Sequence, residues 1–317
     1  MIRYKSIVKG AASHWVKSLR NSGTGTGGAF RPEGSYAIFM RHLMALAEID
    51  VAFDDKVVLE FGPGSSYGMG VAALLSGARR YYAFDLVDHT TDARNLAVFD
   101  ELVRLFKSRA DIPVTGWCAR IFPFIDDPAF PRNLLSDALL ERTLRPERLA
   151  AIRHDLESRG DNFIRPRSSA DLGHANLDES VDIIVSESVL EHVDDVEAAY
   201  AAFARWLSPG GAMTHLIDYS SHNLSDEWNG HWECSPFIWS LVRGKRSYLI
   251  NRMPHQTHVD LLTANGMTIC RTKLLRRVDG LTPDQFSPEF RGMGLRDATT
   301  ALASITCRRA ARASDGR

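Results

Sequence analysis

Apolar and polar positions along the chain fall into strand-length apolar runs separated by helical patterns. The runs KVVLEF, RRYYAFDL and VDIIVSES have the length of buried strands, and the segments GMGVAALLSGA and VEAAYAAFARW have helical spacing. Further along, AMTHLIDYS, MTICRTKLL and TALASITCRRA are strand-like, and HVDLLTANG is a short helix. This succession of strand, turn, helix and strand predicts an α/β fold whose parallel sheet has right-handed crossovers.

The alternation is interrupted after the second predicted strand. Helical patches surround three prolines, Pro123, Pro128 and Pro131, before the segment NFIRPRSS resumes the strand pattern. A minimal crossover needs only about a dozen residues or slightly more. We therefore expect a helical insertion at about residues 95–165, placed beside the sheet as a lid or a substrate wall. Further on, we expect the helix VEAAYAAFARW to stop at Pro209-Gly210-Gly211.

The first 35 residues differ in character from the rest of the chain. Residues 1–20 carry basic but no acidic side chains, and their apolar residues recur at helical spacing: Ile7, Val8, Ala11, Trp15, Val16 and Leu19. A helix packed on the main domain is the preferred interpretation. Peripheral contact with an anionic membrane surface is the alternative. Glycine-rich residues 21–35 predict a linker, and the tail at 311–317 is expected to fray.

Composition excludes several classes of protein. The 317 residues carry a formal net charge of −1, which gives no reason to expect nucleic acid as a partner. We also expect no segment that spans a membrane and no secretory signal. The cysteines stand far apart and without a CxxC pair, which argues against a zinc site or a disulfide framework and favours a cytoplasmic protein. They are Cys118, Cys234, Cys270 and Cys307.

The turn in VVLEFGPGSSYGMG follows the first predicted strand and precedes a helix. Gly62 and Gly64 suit a dinucleotide fingerprint, but Tyr67 stands where its third glycine belongs, and Gly68 comes one residue late. A phosphate-binding Gly-Lys-Ser/Thr sequence does not follow either. The spacing therefore weakens both phosphate-binding interpretations.

Two acids favour a different nucleotide. Glu60, two residues before the first glycine, would repel a pyrophosphate but suits a ligand that presents a cation, such as S-adenosylmethionine with its ammonium and sulfonium groups. Asp85 ends the second strand, 85 − 64 = 21 residues after Gly64. That spacing is typical of an acid that accepts hydrogen bonds from two ribose hydroxyls, although a strand-terminal turn aspartate is the structural alternative.

Five motifs in order carry a family resemblance. The segments VLEFGPGSS, YAFDL, SADL, VDIIVSESVLEHVDD and RWLSPGG resemble those of class I S-adenosylmethionine-dependent methyltransferases, in particular the subgroup with a Leu-Glu-His-Val motif. The resemblance covers about residues 56–211. It implies a Rossmann-like, mostly parallel seven-stranded sheet with helices on both faces and a helical insertion between strands 2 and 3. It also implies a methyltransferase domain over residues 36–310, with S-adenosyl-L-methionine as cofactor.

The resemblance also assigns cofactor contacts residue by residue. The glycine turn and Glu60 would line the methionine portion, Asp85 would hold the ribose, and Leu86 would pack on the adenine. The SADL motif would meet the adenine edge, although its register is open, and the end of the fourth strand would lie near the methyl group. The complete set is Glu60, Gly62, Pro63, Gly64, Gly68, Asp85, Leu86, Ala170, Asp171, Glu187 and Ser188.

The C-terminal third has a resemblance of its own. HLIDYSSHN and NRMPHQTHVDLL are similar to a bacterial branch of the superfamily that is associated with glycan modification. His215, Asp218 and His222 are expected to cluster on the acceptor side, where residues 219–255 form a second insertion. In that insertion Trp228, Trp232 and Trp239 either stack on an acceptor or anchor the segment to the core.

The candidate catalytic residues are His192, Asp218 and His222. A neutral imidazole can take a hydroxyl proton as the methyl group arrives, although the pattern favours a structural role for His192, as a hydrogen-bonded histidine at a helix N-terminus. Related ubiquinone-pathway O-methyltransferases hold a metal with Glu-x-x-Glu-His, but Ser188 replaces the first acid here, so no metal is expected.

The function that these residues predict is O-methylation of a small molecule or a glycan. A nicotinamide-dependent oxidoreductase and a non-catalytic binding protein on the same fold are the alternatives. DNA-base methylation is disfavoured, because SESV stands where amino-methylating enzymes carry Asn-Pro-Pro-Tyr. The sequence indicates no oligomeric state.

Overall fold

The computed structural model describes residues 2–16, 31–168 and 177–310. Within these residues one seven-stranded sheet has the order β3-β2-β1-β4-β5-β7-β6. The strands are β1 (Val57–Phe61), β2 (Arg80–Asp85), β3 (Ile164–Ser168), β4 (Val181–Glu187), β5 (Leu207–Asp218), β6 (Met267–Arg276) and β7 (Thr300–Arg309). Strands β1 to β5 are parallel, and β7 runs antiparallel to both β5 and β6. The predicted fold class is confirmed.

Helices connect the strands and cover both faces. They are α1 (Tyr4–Ala12), α2 (Pro32–Ala47), α3 (Gly68–Leu75), α4 (Asp92–Ser108), α5 (Asp137–Thr143), α6 (Pro146–Ser158), α7 (Val196–Trp206), α8 (Pro236–Arg243), α9 (His255–Ala264) and α10 (Leu295–Thr299). Side chains cap several of them: Thr91, Ser136, Asp195 and Ser235 each accept a hydrogen bond from the backbone N–H three residues on.

The sheet separates two apolar cores because successive strand residues point to opposite faces. On β1, Val58 packs with α2, α3 and α4, whereas Leu59 packs on the face covered by α7 and α9. Helix α2 is buried on nearly every side, with twelve of its sixteen residues buried. It therefore lies between the sheet and the insertion.

The insertion after β2 is fastened to the helices of that face. Arg41 of α2 donates to the carbonyls of Ile121 and Pro123 at 3.2 and 2.9 Å. Arg148 of α6 donates to the carbonyl of Leu74 near the end of α3 and to that of Ala78 just after the helix. The helical insertion between strands 2 and 3 is thus present. Its role as a lid remains a prediction.

Helix α1 packs against α8 through small side chains. Ser6, Gly10 and Ser13 are buried at this contact, while Val8 and Trp15 are exposed. Gly10 lies against the backbone of Leu241 and Val242 at the end of α8. This geometry favours the interpretation that the N-terminal helix packs on the main domain. Among the described residues, no helix is both long and apolar enough to cross a bilayer.

Two element boundaries and one whole helix differ from the sequence expectations. Helix α2 begins at Pro32, so residues 32–35 are helical and not part of a linker. Strand β5 begins at Leu207 and runs through Pro209-Gly210-Gly211, with a register shift between Val181 and Ile183 on its partner. Helix α8 was not expected. Residues 17–30 and 311–317, and with them most of the predicted linker and the tail, lie outside the described residues.

Candidate active site

The candidate site lies at the carboxyl ends of the parallel strands, where open α/β sheets bind ligands. Gly62 and Gly64 follow β1 with φ of 81° and 67°, in the left-handed region that suits glycine. A Cβ at Gly62 would overlap Val189, whereas a Cβ at Gly64 would meet no described atom within 4 Å. The turn therefore packs on one side and opens into space on the other.

A cavity of about 240 Å³ opens beside this turn. Asp85 lines it, and its two carboxylate oxygens accept from the N–H groups of Gly64 at 3.1 Å and Val87 at 3.4 Å. Burial raises the pKa of Asp85, and these N–H groups partly oppose that effect. The cavity is lined by Pro63, Gly64, Tyr67, Ala83, Asp85, Leu86, Asp88, Thr90, Pro166 and Arg167.

The cavity fits the adenosine part of the cofactor that the sequence implies. Each Asp85 oxygen keeps a lone pair for a ribose hydroxyl. Half of the Leu86 surface is exposed at this point, which leaves an apolar face for an adenine. Larger cavities of about 390 and 460 Å³ lie elsewhere, one at the amino ends of β1 and β2 and one between α2 and α5. Ala170 and Asp171 lie outside the described residues.

Two glycines of α3 bring the helix close to its neighbours. A Cβ at Gly68 would overlap Ser35 of α2, and a Cβ at Gly70 would overlap the ring of Tyr81 on β2. Gly68 thus serves the contact between two helices, and Gly70, which the sequence did not single out, serves the contact with the sheet. Both contacts fix the N-terminus of α3 behind the cavity.

Glu60 lies inside the protein and does not face the cavity openly. Its side chain is buried and accepts a hydrogen bond of 2.5 Å from the Tyr81 hydroxyl. Burial raises the pKa of Glu60 to about 8, with Asp85 and Glu187 acting in the same direction and Tyr81 opposing them. Glu60 therefore belongs to a group of acids whose charge a nearby cation would favour.

The end of β4 adds another acid. Glu187 Oε2 lies 3.3 Å from Nε2 of His42 on α2, whose Nδ1 lies 3.3 Å from Thr214 Oγ1. Ser188 follows with φ of 52°, and its N–H donates to the Leu216 carbonyl. This turn directs the chain from β4 into the short helix Leu190–His192.

A cluster of ionisable residues lies beyond β4 and β5. His222 Nε2 lies 3.3 Å from Asp218 Oδ2, and the His222 ring packs edge-on against the His192 ring with centroids 4.9 Å apart. Glu191 completes the cluster: one ligand atom each from Glu191, His192 and His222 lies within 4.8 Å of the others. The structure thus brings the three predicted catalytic residues together.

Burial sets the charges of this cluster. Burial and the neighbouring His222 lower the pKa of His192 to about 4, so its imidazole is neutral near pH 7. Burial raises the pKa of Glu191 well above its ordinary value, and Asp218 adds to the effect. Burial alone would also raise the pKa of Asp218, but hydrogen bonds from His222 and Ser220 hold it below its ordinary value.

Sequence reasoning missed three residues that shape this site. Glu191 is the second acid of the Glu-x-x-Glu-His pattern, and the sequence assigns it no role of its own. Asn251 Nδ2 donates to the carbonyls of Leu190 and Val193 at 2.8 and 3.0 Å, which holds the short helix that carries Glu191. The buried hydroxyl of Tyr248 has no hydrogen-bond partner among the described residues, and Asp85 contributes to the raised pKa of Tyr248 after burial itself. A tyrosine in an irregular loop gave no usable signal.

The structure contradicts one expectation for the acceptor side and decides between two others. His215 does not join the cluster, because it is fully buried within β5 and its Nδ1 lies 2.8 Å from Ser186 Oγ. Trp228, Trp232 and Trp239 are buried and anchor the second insertion, which is the second of the two interpretations for them. Trp232 Nε1, for example, donates to the Arg252 carbonyl at 2.9 Å.

Comparison with known proteins places the chain in a family of methyltransferase domains. A family model described as a methyltransferase domain matches residues 36–268. No curated protein matches the chain. The fold is similar to that of a Listeria monocytogenes protein assigned as an S-adenosylmethionine-dependent methyltransferase, with 12% identity over 87% of this chain and 98% of the other and a TM-score of 0.42.

Two further solved structures are similar at the same level. An S-adenosylmethionine-dependent methyltransferase from Mesorhizobium loti has 15% identity over 84% of this chain and 96% of its own, with a TM-score of 0.40. The [4+2]-cyclase SpnF has 13% identity over 86% of this chain and 80% of its own, with a TM-score of 0.42. Likeness at this level says nothing about the reaction of this chain.

Proposed function

Since the chain belongs to the methyltransferase domain family and is a class I enzyme that uses S-adenosylmethionine, we propose that it methylates a hydroxyl oxygen of a small molecule or a glycan. The cofactor supplies an activated methyl group on a sulfonium. The protein then has to bind, orient the two reactants and exclude water.

The cofactor residues in this proposal line the carboxyl ends of β1 and β2. Asp85 accepts hydrogen bonds from the ribose hydroxyls, while Pro63, Gly64 and Leu86 form the walls of the adenosine cavity. Gly62 and Gly68 shape the turn and the helix behind it. Glu60, Glu187 and Ser188 lie around the methionine part, where the two acids favour its positive charges. Asp171 and Ala170 remain expected contacts of the adenine.

The Asp218–His222 pair is the observation that carries the choice of oxygen. A hydroxyl has to lose its proton as it attacks the methyl carbon, whereas a neutral amine already has a lone pair for the attack. His222 Nε2 lies 3.3 Å from Asp218 Oδ2, and both side chains are partly exposed. The neutral imidazole of His192 lies beside them. In the transfer, the carbon–oxygen bond forms as the carbon–sulfur bond breaks, and the hydroxyl proton passes to the pair.

The glycan part of the proposal rests on the resemblance of HLIDYSSHN alone. The three tryptophans that could have stacked on sugar rings are buried within the second insertion. Simple glycosides and small alcohols or phenols are therefore equally suitable acceptors to test first.

A methyl-transfer assay tests the proposal. Labelled S-adenosylmethionine is incubated with panels of hydroxyl and amine acceptors, and products are located by mass spectrometry. We expect an O-methyl product, and we expect His222→Asn and Asp218→Asn to lower its rate by about 100-fold or more, because a positioned base contributes about 10²–10⁴. His154→Asn, which changes an exposed histidine of α6, should leave the rate unchanged. A product methylated only on nitrogen or carbon would overturn the choice of oxygen.

A further inference from the structure

We infer that Glu191, His192 and His222 bind a divalent transition-metal cation, with Asp218 holding His222 in place from behind. The inference rests on the proposed function for its purpose, but the ligand geometry is independent of it. One donor atom from each of the three residues already lies within 4.8 Å of the others without a metal.

Glu191 is the strongest indication of a missing partner. Its side chain is buried, and neither carboxylate oxygen has a hydrogen-bond partner among the described residues, although the N–H groups of Glu191 and Asp218 lie nearby. The Nδ1 atom of His192 is buried without a described partner as well. Buried polar atoms are nearly always paired, so two such residues side by side point to a ligand between them.

The charges in the cluster match a doubly charged cation. Asp218 lies beside the three ligands, with its Oδ2 atom 3.3 Å from His222 Nε2. Because a metal-binding imidazole carries no charge of its own, the carboxylates of Glu191 and Asp218 would together balance a charge of two. Like charges this close are unfavourable unless a cation lies between them.

The donor atoms select the kind of cation. Imidazole nitrogen suits zinc, iron, nickel or copper, whereas magnesium, calcium and manganese prefer oxygen ligands. Two histidines and one carboxylate leave open positions for a substrate oxygen. Asp218 beside His222 is typical of the carboxylate that orients a metal-binding histidine.

The cation would deepen the proposed chemistry. A divalent metal lowers the pKa of an oxygen next to it, so a weaker base is sufficient. With the two histidines occupied as ligands, the hydroxyl proton would pass to Asp218 as the carbon–oxygen bond forms. Asn251, which holds the short helix of Glu191 and His192 through two hydrogen bonds, then acts as a positioning residue.

The test is a titration of the chelator-treated, full-length protein with Co²⁺. The visible absorption of Co²⁺ reports its ligands directly and requires no acceptor. We expect one equivalent to bind with the spectrum of nitrogen and oxygen ligands, and Zn²⁺ to displace it. In His222→Asn the affinity should fall at least about tenfold, since even partners behind the ligands contribute about 10- to 100-fold.

The backbone conformation at residue 222 accommodates the His222→Asn substitution. His222 has φ of 47°, and asparagine tolerates the left-handed region better than most residues, so the variant should fold. Thermal unfolding of each variant checks this. Glu191→Gln provides the second ligand variant, and His154→Asn is the matched control for an exposed imidazole. Absence of a stoichiometric Co²⁺ spectrum in the wild type, or equal Co²⁺ binding by wild type, His222→Asn and Glu191→Gln, would overturn the inference.

Binding of S-adenosylhomocysteine separates this inference from the proposed function. The adenosine cavity contains none of the three ligands. A protein that binds the nucleoside but no Co²⁺ keeps its methyltransferase role and loses the metal site. One that binds Co²⁺ at Glu191 and His222 but no nucleoside keeps the metal site and loses the proposed function.

Discussion

The ionisable side chains at the carboxyl ends of β1, β2, β4 and β5 are mostly carboxylic acids and imidazoles, and most of them are buried or partly buried. Glu60 shows the consequence most clearly, because its carboxyl is buried against the Tyr81 hydroxyl. Burial disfavours the charged form, so the folded protein holds a proton on Glu60 up to a pH of about 8. A cationic ligand beside Glu60 would favour the charged carboxylate and would therefore release this proton.

A pH dependence of stability follows from Glu60. Its pKa is raised from 4.5 in the unfolded chain to about 8 in the folded protein. The stabilisation by the bound proton is fully present below pH 4.5 and is lost as the pH rises through about 8. The loss is at most about 5 kcal/mol, at 1.36 kcal/mol for each unit.

Glu60→Gln isolates this effect. Glutamine resembles the protonated acid and keeps an oxygen for the Tyr81 hydroxyl. Compared with the wild type, we expect the variant to gain relative stability as the pH rises from 5 to 8 in urea unfolding. Glu157→Gln, on the surface of α6, is the control. A constant difference between Glu60→Gln and wild type across this range would show that Glu60 is charged in the folded protein.

Sequence reasoning at the residue scale succeeded where spacing carries chemistry. Asp218 and His222 stand four residues apart at the end of a strand, and the structure brings them within 3.3 Å. It failed for His215, which lies three positions before Asp218 and therefore points to the other side of the strand. Glu191 could not be placed beside His222, because their contact depends on how two loops fold over the sheet.

Among the elements, α3 determines whether the glycine turn and the sheet fit together. Its small residues allow close approach to β2, and a side chain at Gly70 would overlap the Tyr81 ring. The turn that precedes the helix has the opposite property, since a Cβ at Gly64 meets open space but the residue has φ of 67°.

Alanine substitutions at Gly64 and Gly70 should distinguish the packing of α3 on the sheet from the binding of the cofactor. We expect Gly70→Ala to lower the free energy of unfolding by about 1–3 kcal/mol, the usual effect of overpacking a core. Gly64→Ala should lower the free energy of unfolding by only about 1–2 kcal/mol, because alanine is strained in the left-handed conformation of this residue. It should weaken the binding of S-adenosylhomocysteine more strongly than Gly70→Ala does. Urea unfolding and calorimetry measure both quantities. An S-adenosylhomocysteine affinity that falls equally in the two variants, or falls further in Gly70→Ala, would contradict the assignment.

Most elements were predictable from periodicity, and the errors have identifiable causes. Pro209-Gly210-Gly211 indicated a break, yet β5 absorbs these residues at its start, where the pairing with β4 shifts register. The start of α2 was missed although Pro32 and Glu33 are typical of a first helical turn. Helix α8 is short and lies among aromatic residues, and the Ser235-Pro236 pair was its one local signal.

On the scale of the whole molecule, two additions surround a methyltransferase sheet. The first insertion is held by Arg41 and Arg148 on the face of α2 and α3, and the second carries Tyr248 and Asn251 to the acceptor side. Helix α1 packs on the second insertion and not on the sheet. It should therefore affect the acceptor side more than the cofactor cavity.

The contact of α1 can be removed selectively. Gly10→Val places a branched side chain against the backbone of Leu241 and Val242, so we expect α1 to detach from α8. Hydrogen exchange of the amides in Tyr4–Ala12 should then become faster, with S-adenosylhomocysteine affinity unchanged. Val8→Ala changes an exposed residue of the same helix and should leave the exchange rates as they are. Unchanged protection in Gly10→Val would refute the packing role of Gly10.

The most direct test of the central claim is calorimetric titration with S-adenosylhomocysteine and, in parallel, with NAD. The wild type should bind S-adenosylhomocysteine in the micromolar range and should not bind NAD. Asp85→Ala and Asp85→Asn should weaken binding by about 10- to 100-fold, since hydrogen bonds to a charged group contribute about 1.5–3 kcal/mol. Asp178→Ala, an exposed acid, is the control. Binding of NAD without S-adenosylhomocysteine, or nucleoside binding that is indifferent to Asp85, would contradict the account.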